Sequence, residues 1–132
     1  MIFLDTSAIY ALADVADPNH GRAVDLFREA LETQEELLTH NYILVESAAL
    51  IQNRLGFSIA QQFLHDSQNF TVHWMTEQDH AQAVSLLEQH KRRGLSLVDC
   101  ASFVVMDRHG ASRALAFDSD FEQEGYMLFG KG

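Results

Sequence analysis

The chain has 132 residues, 47% of them apolar and 21% charged, which fits one domain with its own core and excludes a disordered or low-complexity protein. A single cysteine, Cys100, excludes a disulfide framework and a multi-cysteine zinc site. Nineteen acids against nine bases give a net charge of −10, which argues against indiscriminate binding to polyanions or to an anionic membrane.

Met1 is followed at once by Ile2-Phe3-Leu4, with no basic lead-in or cleavage site, so no secretory leader is expected. No apolar run nears the roughly 20 residues of a membrane span, and a cytoplasmic protein is the expectation. Ile2-Phe3-Leu4 reads as a short buried strand. Thr6 or Ser7 is the expected cap of a helix carrying Ile9, Leu12, Ala13 and Ala16. After the turn at Asp17-Pro18-Asn19, Ala23, Leu26, Phe27, Ala30 and Leu31 mark an amphipathic helix. Leu37-Leu38 reads as a second strand. Thr39 or Asn41 is the expected cap of a helix to about Leu55, ended by Gly56 in the left-handed conformation. A short helix from Ser58 follows.

Phe70 to Met75 alternates in the manner of a strand and places Trp74 in the core. Thr76 with Asp79, and Ser96 with Asp99, have the spacing of capping boxes and open two more helices. The second, from Val98 to Met106, is almost wholly apolar and is expected to be buried on most sides until Gly110 ends it. Leu115-Ala116-Phe117 and Tyr126 to Phe129 complete the strands. Apolar strands separated by helices predict an α/β fold with a mostly parallel sheet covered on both faces. No break in composition divides residues 1–132, so a single domain is expected.

Charge is unevenly spread. Residues 1–50 hold nine acids and two bases, whereas residues 91–113 hold five bases and two acids. Four acids interrupt apolar surroundings: Asp5 after the first strand, Glu46 inside Tyr42 to Ala48, Asp99 in the first turn of the apolar helix, and Asp118 after Ala116-Phe117. In an open parallel sheet, ligands sit outside the carboxyl ends of the strands, where Asp5 and Asp118 are expected. Two like charges about 4 Å apart repel by roughly 4 kcal/mol at an effective dielectric near 20, and helix dipoles offset only a fraction of that. A hard divalent cation offsets far more, and all-oxygen ligation suits Mg²⁺ or Mn²⁺ rather than zinc. Each acid also has a plainer reading. Asp5 and Asp99 suit helix caps, Asp118 a turn, and Glu46 a buried pair with a base such as Arg54.

Together, Ile2-Phe3-Leu4-Asp5-Thr6-Ser7-Ala8, the helical Glu46, Leu97-Val98-Asp99-Cys100-Ala101 and Ala116-Phe117-Asp118-Ser119-Asp120-Phe121 resemble the PIN domain over essentially the whole chain. Within that fold the chain looks like the small VapC toxin ribonucleases of toxin–antitoxin pairs. The resemblance implies a three-layer α/β/α sandwich on a five-stranded, mostly parallel sheet, and an endoribonuclease in which Asp5, Glu46, Asp99 and Asp118 hold Mg²⁺ or Mn²⁺. It further implies Asp120 as an auxiliary acid, Thr6 or Ser7 as an orienting hydroxyl, a homodimer and a cognate antitoxin. Ala116 stands where many relatives carry a hydroxyl.

Lys91-Arg92-Arg93 is a candidate contact for the RNA backbone. Cys100 reads as a packing residue, and His109 beside Gly110 as a favourable charge at a helix end. A phosphoryl-transfer domain with Asp5 as nucleophile is disfavoured, because Ser7 stands where a second aspartate is wanted and no lysine ends a late strand. A PIN ribonuclease outside toxin–antitoxin systems and a non-catalytic PIN-like module are the other readings; the latter is weakened because none of the four acids is missing.

Overall fold

A computed structural model describes residues 1–131. Five strands, β1 (Ile2–Leu4), β2 (Leu37–His40), β3 (Thr71–His73), β4 (Arg113–Leu115) and β5 (Met127–Leu128), form one sheet in the order β3-β2-β1-β4-β5. All four pairings are parallel; Phe3 lies opposite Leu38 on one side and Ala114 on the other. β1 is central and fully buried, as its uninterrupted apolar run requires.

The helices are α1 (Thr6–Ala13), α2 (His20–Glu32), α3 (Asn41–Leu55), α4 (Phe57–Asp66), α5 (Glu77–His90), α6 (Leu97–His109) and the short α7 (Asp120–Gln123). α1 packs on α2 and α3, α3 packs on α4, and α5 packs on α6. The chain winds outward from β1 through β2 to β3, then crosses back to β4 on the other side of β1. With right-handed crossovers this reversal puts the two helix groups on opposite faces of the sheet. It also opens a crevice at the carboxyl ends of β1 and β4. Among the described residues no helix is long and apolar enough to cross a membrane.

Both expected capping boxes are present, at Thr76 with Asp79 and at Ser96 with Asp99. α6 is buried from Cys100 to Met106 and ends at Gly110 with φ +66°. Other boundaries differ from the sequence reading. The cap of α1 is Asp5 itself, not Thr6 or Ser7. The cap of α3 is His40, whose Nδ1 accepts from the Ile43 amide (3.4 Å) while its other ring nitrogen meets Ser102 Oγ (2.9 Å). Burial, with a smaller contribution from His73, pushes the His40 imidazole down to about 3, so it is neutral and able to accept. Gly56 ends α3 at φ +100° and ψ 169°, an extended glycine conformation rather than a left-handed helical one, and α4 begins directly after it.

β3 stops at His73, which leaves Trp74 outside the strand and 68% exposed instead of in the core. β4 lies two residues earlier than expected, at Arg113–Leu115, because Phe3 and Leu4 pair with Ala114 and Leu115. The sequence reading also overlooked a polar knot under α5. The buried Asp79 carboxylate accepts from His73 Nε2 (2.7 Å) and Arg108 Nε (2.6 Å), as well as from the Thr76 amide (3.0 Å). Burial raises its pKa, but these partners outweigh burial and hold it down at about 2. His109 contacts His73, ring nitrogen to ring nitrogen at 3.0 Å, so it belongs to this knot as well as to the helix end.

Candidate active site

Asp5 leaves β1 at the crevice and turns the chain into α1. Its Oδ2 accepts from the Ser7 amide (3.2 Å) and the Ser7 hydroxyl (2.7 Å), so capping and site-building use one carboxylate. Ser7 Oγ in turn accepts from the Phe117 amide (3.0 Å), which ties the segment after β4 to the start of α1. Of the Thr6–Ser7 pair, it is Ser7 whose hydroxyl bonds Asp5. Thr6 faces α3, where Ser47 Oγ lies 3.4 Å from its Oγ1.

Asp5 is only 4% exposed. Burial raises its pKa, the bonds from Ser7 lower it, and the charges of Asp118 and Asp99 raise it again, leaving it at about 7. Asp118 is pushed upward too, first by burial and then by Asp120 and Asp99, while its backbone bond from Asp120 opposes the rise. Asp118 lies three residues past the end of β4, and its Oδ1 accepts from the Asp120 amide (3.1 Å) at the start of α7.

Asp99 is held by its capping box, accepting from the Ser96 amide at 2.9 Å and hydroxyl at 3.0 Å. Its charge nonetheless acts on both Asp5 and Asp118. The plain capping role and the clustering are thus both true of Asp5 and Asp99. Glu46 is different. It is exposed on α3 and forms no ion pair with Arg54, whose guanidinium lies over the Tyr10 ring (5.2 Å). Its sequence neighbour Ser47 reaches Thr6, whereas no hydrogen bond or ion pair among the described residues joins Glu46 to the other acids.

Arg92 pairs with Asp120 (3.5 Å) and donates to Gln123, both on α7, whereas Lys91 and Arg93 are exposed. Lys91 ends α5 with φ +52°. Arg92 therefore braces the turn that carries Asp118 and Asp120, a role the sequence pattern did not disclose because the two segments lie 28 residues apart. Cys100 is fully buried, and burial, reinforced by Asp99, pushes its thiol up to about 11, which makes it a packing residue and not a nucleophile.

The donors that meet here are carboxylate oxygens whose charges penalise one another in a buried setting, a set that fits a hard divalent cation. Among the described residues no three His, Cys, Asp or Glu side chains are already drawn in to ligating distance. The carboxylates are neighbours that a cation would have to gather.

The PIN domain family matches residues 2–124. The 23S rRNA-specific endonuclease VapC20 of Mycobacterium tuberculosis, in strains CDC 1551 / Oshkosh and ATCC 25618 / H37Rv, is 34% identical over 129 residues, covering 96% of both chains. The crystal structure of M. tuberculosis VapC20, described as a sarcin-ricin loop cleaving toxin, superposes with a TM-score of 0.85 at 32% identity, over 96% of this chain and 97% of that one. FitAcB from Neisseria gonorrhoeae shares the fold at a TM-score of 0.68 and 19% identity, over 98% and 96% of the two chains. With four acids of the motif in order and three of them acting on one another at the sheet's switch point, the chain belongs to the PIN domain family, among its VapC-like toxin ribonucleases.

Proposed function

We propose that this protein cleaves RNA phosphodiesters as a single-domain, cytoplasmic toxin, and that Asp5, Glu46, Asp99 and Asp118 hold the Mg²⁺ or Mn²⁺ it requires. The observation that carries this is the buried Asp5 carboxyl, raised to about 7 by its surroundings and by two other acids of the set. Such a carboxyl is poorly ionised without a counter-charge and fully ionised with one. A divalent cation, when bound, supplies a Lewis acid that acidifies water and neutralises charge developing on the phosphate.

The chain's own groups do the rest. Ser7 donates to Asp5 Oδ2 and fixes that oxygen's direction, leaving the other oxygen free. The Asp120 amide fixes Asp118 in the same way, and the Arg92 pair neutralises the Asp120 side chain so that it adds less repulsion. The Ser96 box orients Asp99 at the first turn of α6. Glu46, on α3, is the fourth carboxylate of the proposed set.

The similarity to VapC20 supports ribosomal RNA, and the sarcin-ricin loop within it, as the substrate, and the family resemblance supports a cognate antitoxin as the silencing partner. A homodimer is proposed on the family resemblance alone. An RNA stem-loop carrying that loop sequence should be cut at one position in Mn²⁺ or Mg²⁺ and left intact after chelation with EDTA. Cleavage that survives EDTA undiminished would refute the metal role.

A further inference from the structure

A cavity of about 440 Å³ lies beside the carboxylates, lined by Asn19 and Arg22 around the start of α2, by Phe117, and by Phe129 and Lys131 beyond β5. Its volume is within the roughly 300–1,000 Å³ of small-ligand pockets. It shares a wall with the acid cluster, since Phe117 precedes Asp118 and its amide is bound by the same Ser7 hydroxyl that holds Asp5.

Its charge is unusual for this chain. Lys131 is matched by Glu122 at 2.8 Å, but Arg22 has no carboxylate within 4 Å among the described residues. Arg22 Nη2 donates instead to the Gly130 carbonyl (2.8 Å), which fixes the guanidinium without cancelling its charge. Gly130 has φ +81°, and a Cβ there would collide with Leu26 Cδ2 and crowd Arg22 Nη2 at 3.1 Å. Only glycine lets this segment close over α2 and keep Arg22 in place. Phe117 and Phe129 add aromatic surface, and the Arg113 guanidinium covers Phe129 at 5.7 Å from the ring centre.

We propose that this cavity receives one nucleotide of the RNA strand adjoining the cleaved phosphodiester, with its phosphate on Arg22 and its base against Phe117 and Phe129. This rests on the ribonuclease reading. Arg22 offers an anion a fixed, unpaired cation among the described residues, and a planar ring stacks on phenylalanine whichever base it is. The acid cluster next door repels an RNA backbone, so a fixed cation at its edge is where approach is favoured.

The test uses the full chain carrying Asp5→Asn, titrated without divalent cations into the same stem-loop RNA, fluorescein-labelled, and followed by anisotropy. Arg22→Gln should weaken binding about tenfold and flatten the slope of log K against log salt by about 0.7, while Arg22→Lys keeps that slope. Phe129→Leu should weaken binding about tenfold with the slope unchanged. In the cleaving chain, Arg22→Gln should raise KM and leave kcat alone. Unchanged affinity and slope in Arg22→Gln overturn the subsite while leaving cleavage intact. RNA bound through Arg22 by a wild-type chain that never cleaves would instead overturn the ribonuclease reading. An Asp5→Asn chain that holds no RNA at all counts against both.

Discussion

Replacing Asp5 by asparagine is expected to cut RNA cleavage by about three orders of magnitude or more, and to raise the melting temperature of the metal-free chain above pH 7. The loss exceeds the roughly 10- to 100-fold that removal of an outer-sphere partner gives, because a charged donor disappears. The gain in stability follows from linkage. The Asp5 carboxyl titrates near 7 in the folded chain against an ordinary 3.8. Between those values the folded state holds a proton that the unfolded state has released, so stability falls as pH rises from about 4 to about 7 and stays lowered above that. At about 1.36 kcal/mol per pH unit the full swing is on the order of 4 kcal/mol, shared with Asp118. Asparagine keeps an oxygen to accept from Ser7 and has no charge to desolvate. Nuclease assays beside thermal melts at two pH values check both halves. Asp99→Asn should lose activity similarly, but it weakens the Ser96 capping box and gives back about 1 kcal/mol of stability. Wild-type cleavage by either variant would remove the proposed site.

Asp79→Ala should do the opposite, costing about 3 kcal/mol of stability, or roughly 10 °C in melting temperature, with little change in cleavage at low temperature. The side chain is 3% exposed and satisfies His73, Arg108 and the Thr76 amide together. Arg108 is 38% exposed and can return to water, which keeps the cost below that of a fully buried orphan. Because its pKa is held down at about 2, the stability Asp79 contributes is complete above about pH 4 and is lost as pH falls toward 2. Urea denaturation of wild type and variant measures the difference. A variant as stable as wild type would mean that the knot contributes nothing.

These two carboxylates show what a sequence discloses. Both stand at helix N-termini, both cap, and both have local patterns that can be read. The capping boxes at Thr76 and Ser96, the buried run of β1 and the amphipathic stripe of α2 were legible because each is set by residues within four positions of one another. The register of β4 was not, since Ala114 and Leu115 are chosen by their pairing with Phe3 and Leu4 far along the chain. Neither was the cap of α3, where a buried histidine kept neutral by its surroundings replaces a hydroxyl or amide.

The site followed the same division. Asp5, Asp99 and Asp118 were identifiable as acids out of context, and the fold brings their charges onto one another. Glu46 lies exposed on α3, because the apolar residues around it split between a core face at Ile43 and Ser47 and an exposed face at Val45 and Glu46. The exposed Trp74 was misread for a related reason. A strand pattern of six residues was cut to three by the length of its only neighbour, β2.

The most direct measurement is a thermal-shift titration of wild type and Asp5→Asn with Mn²⁺. In wild type, cation at ten times Kd should add about 1.4 kcal/mol, and the melting temperature should keep climbing as the logarithm of concentration. Asp5→Asn should stay nearly flat. A wild-type chain indifferent to Mn²⁺ through the millimolar range, or equal shifts in both proteins, would contradict a cation gathered around Asp5.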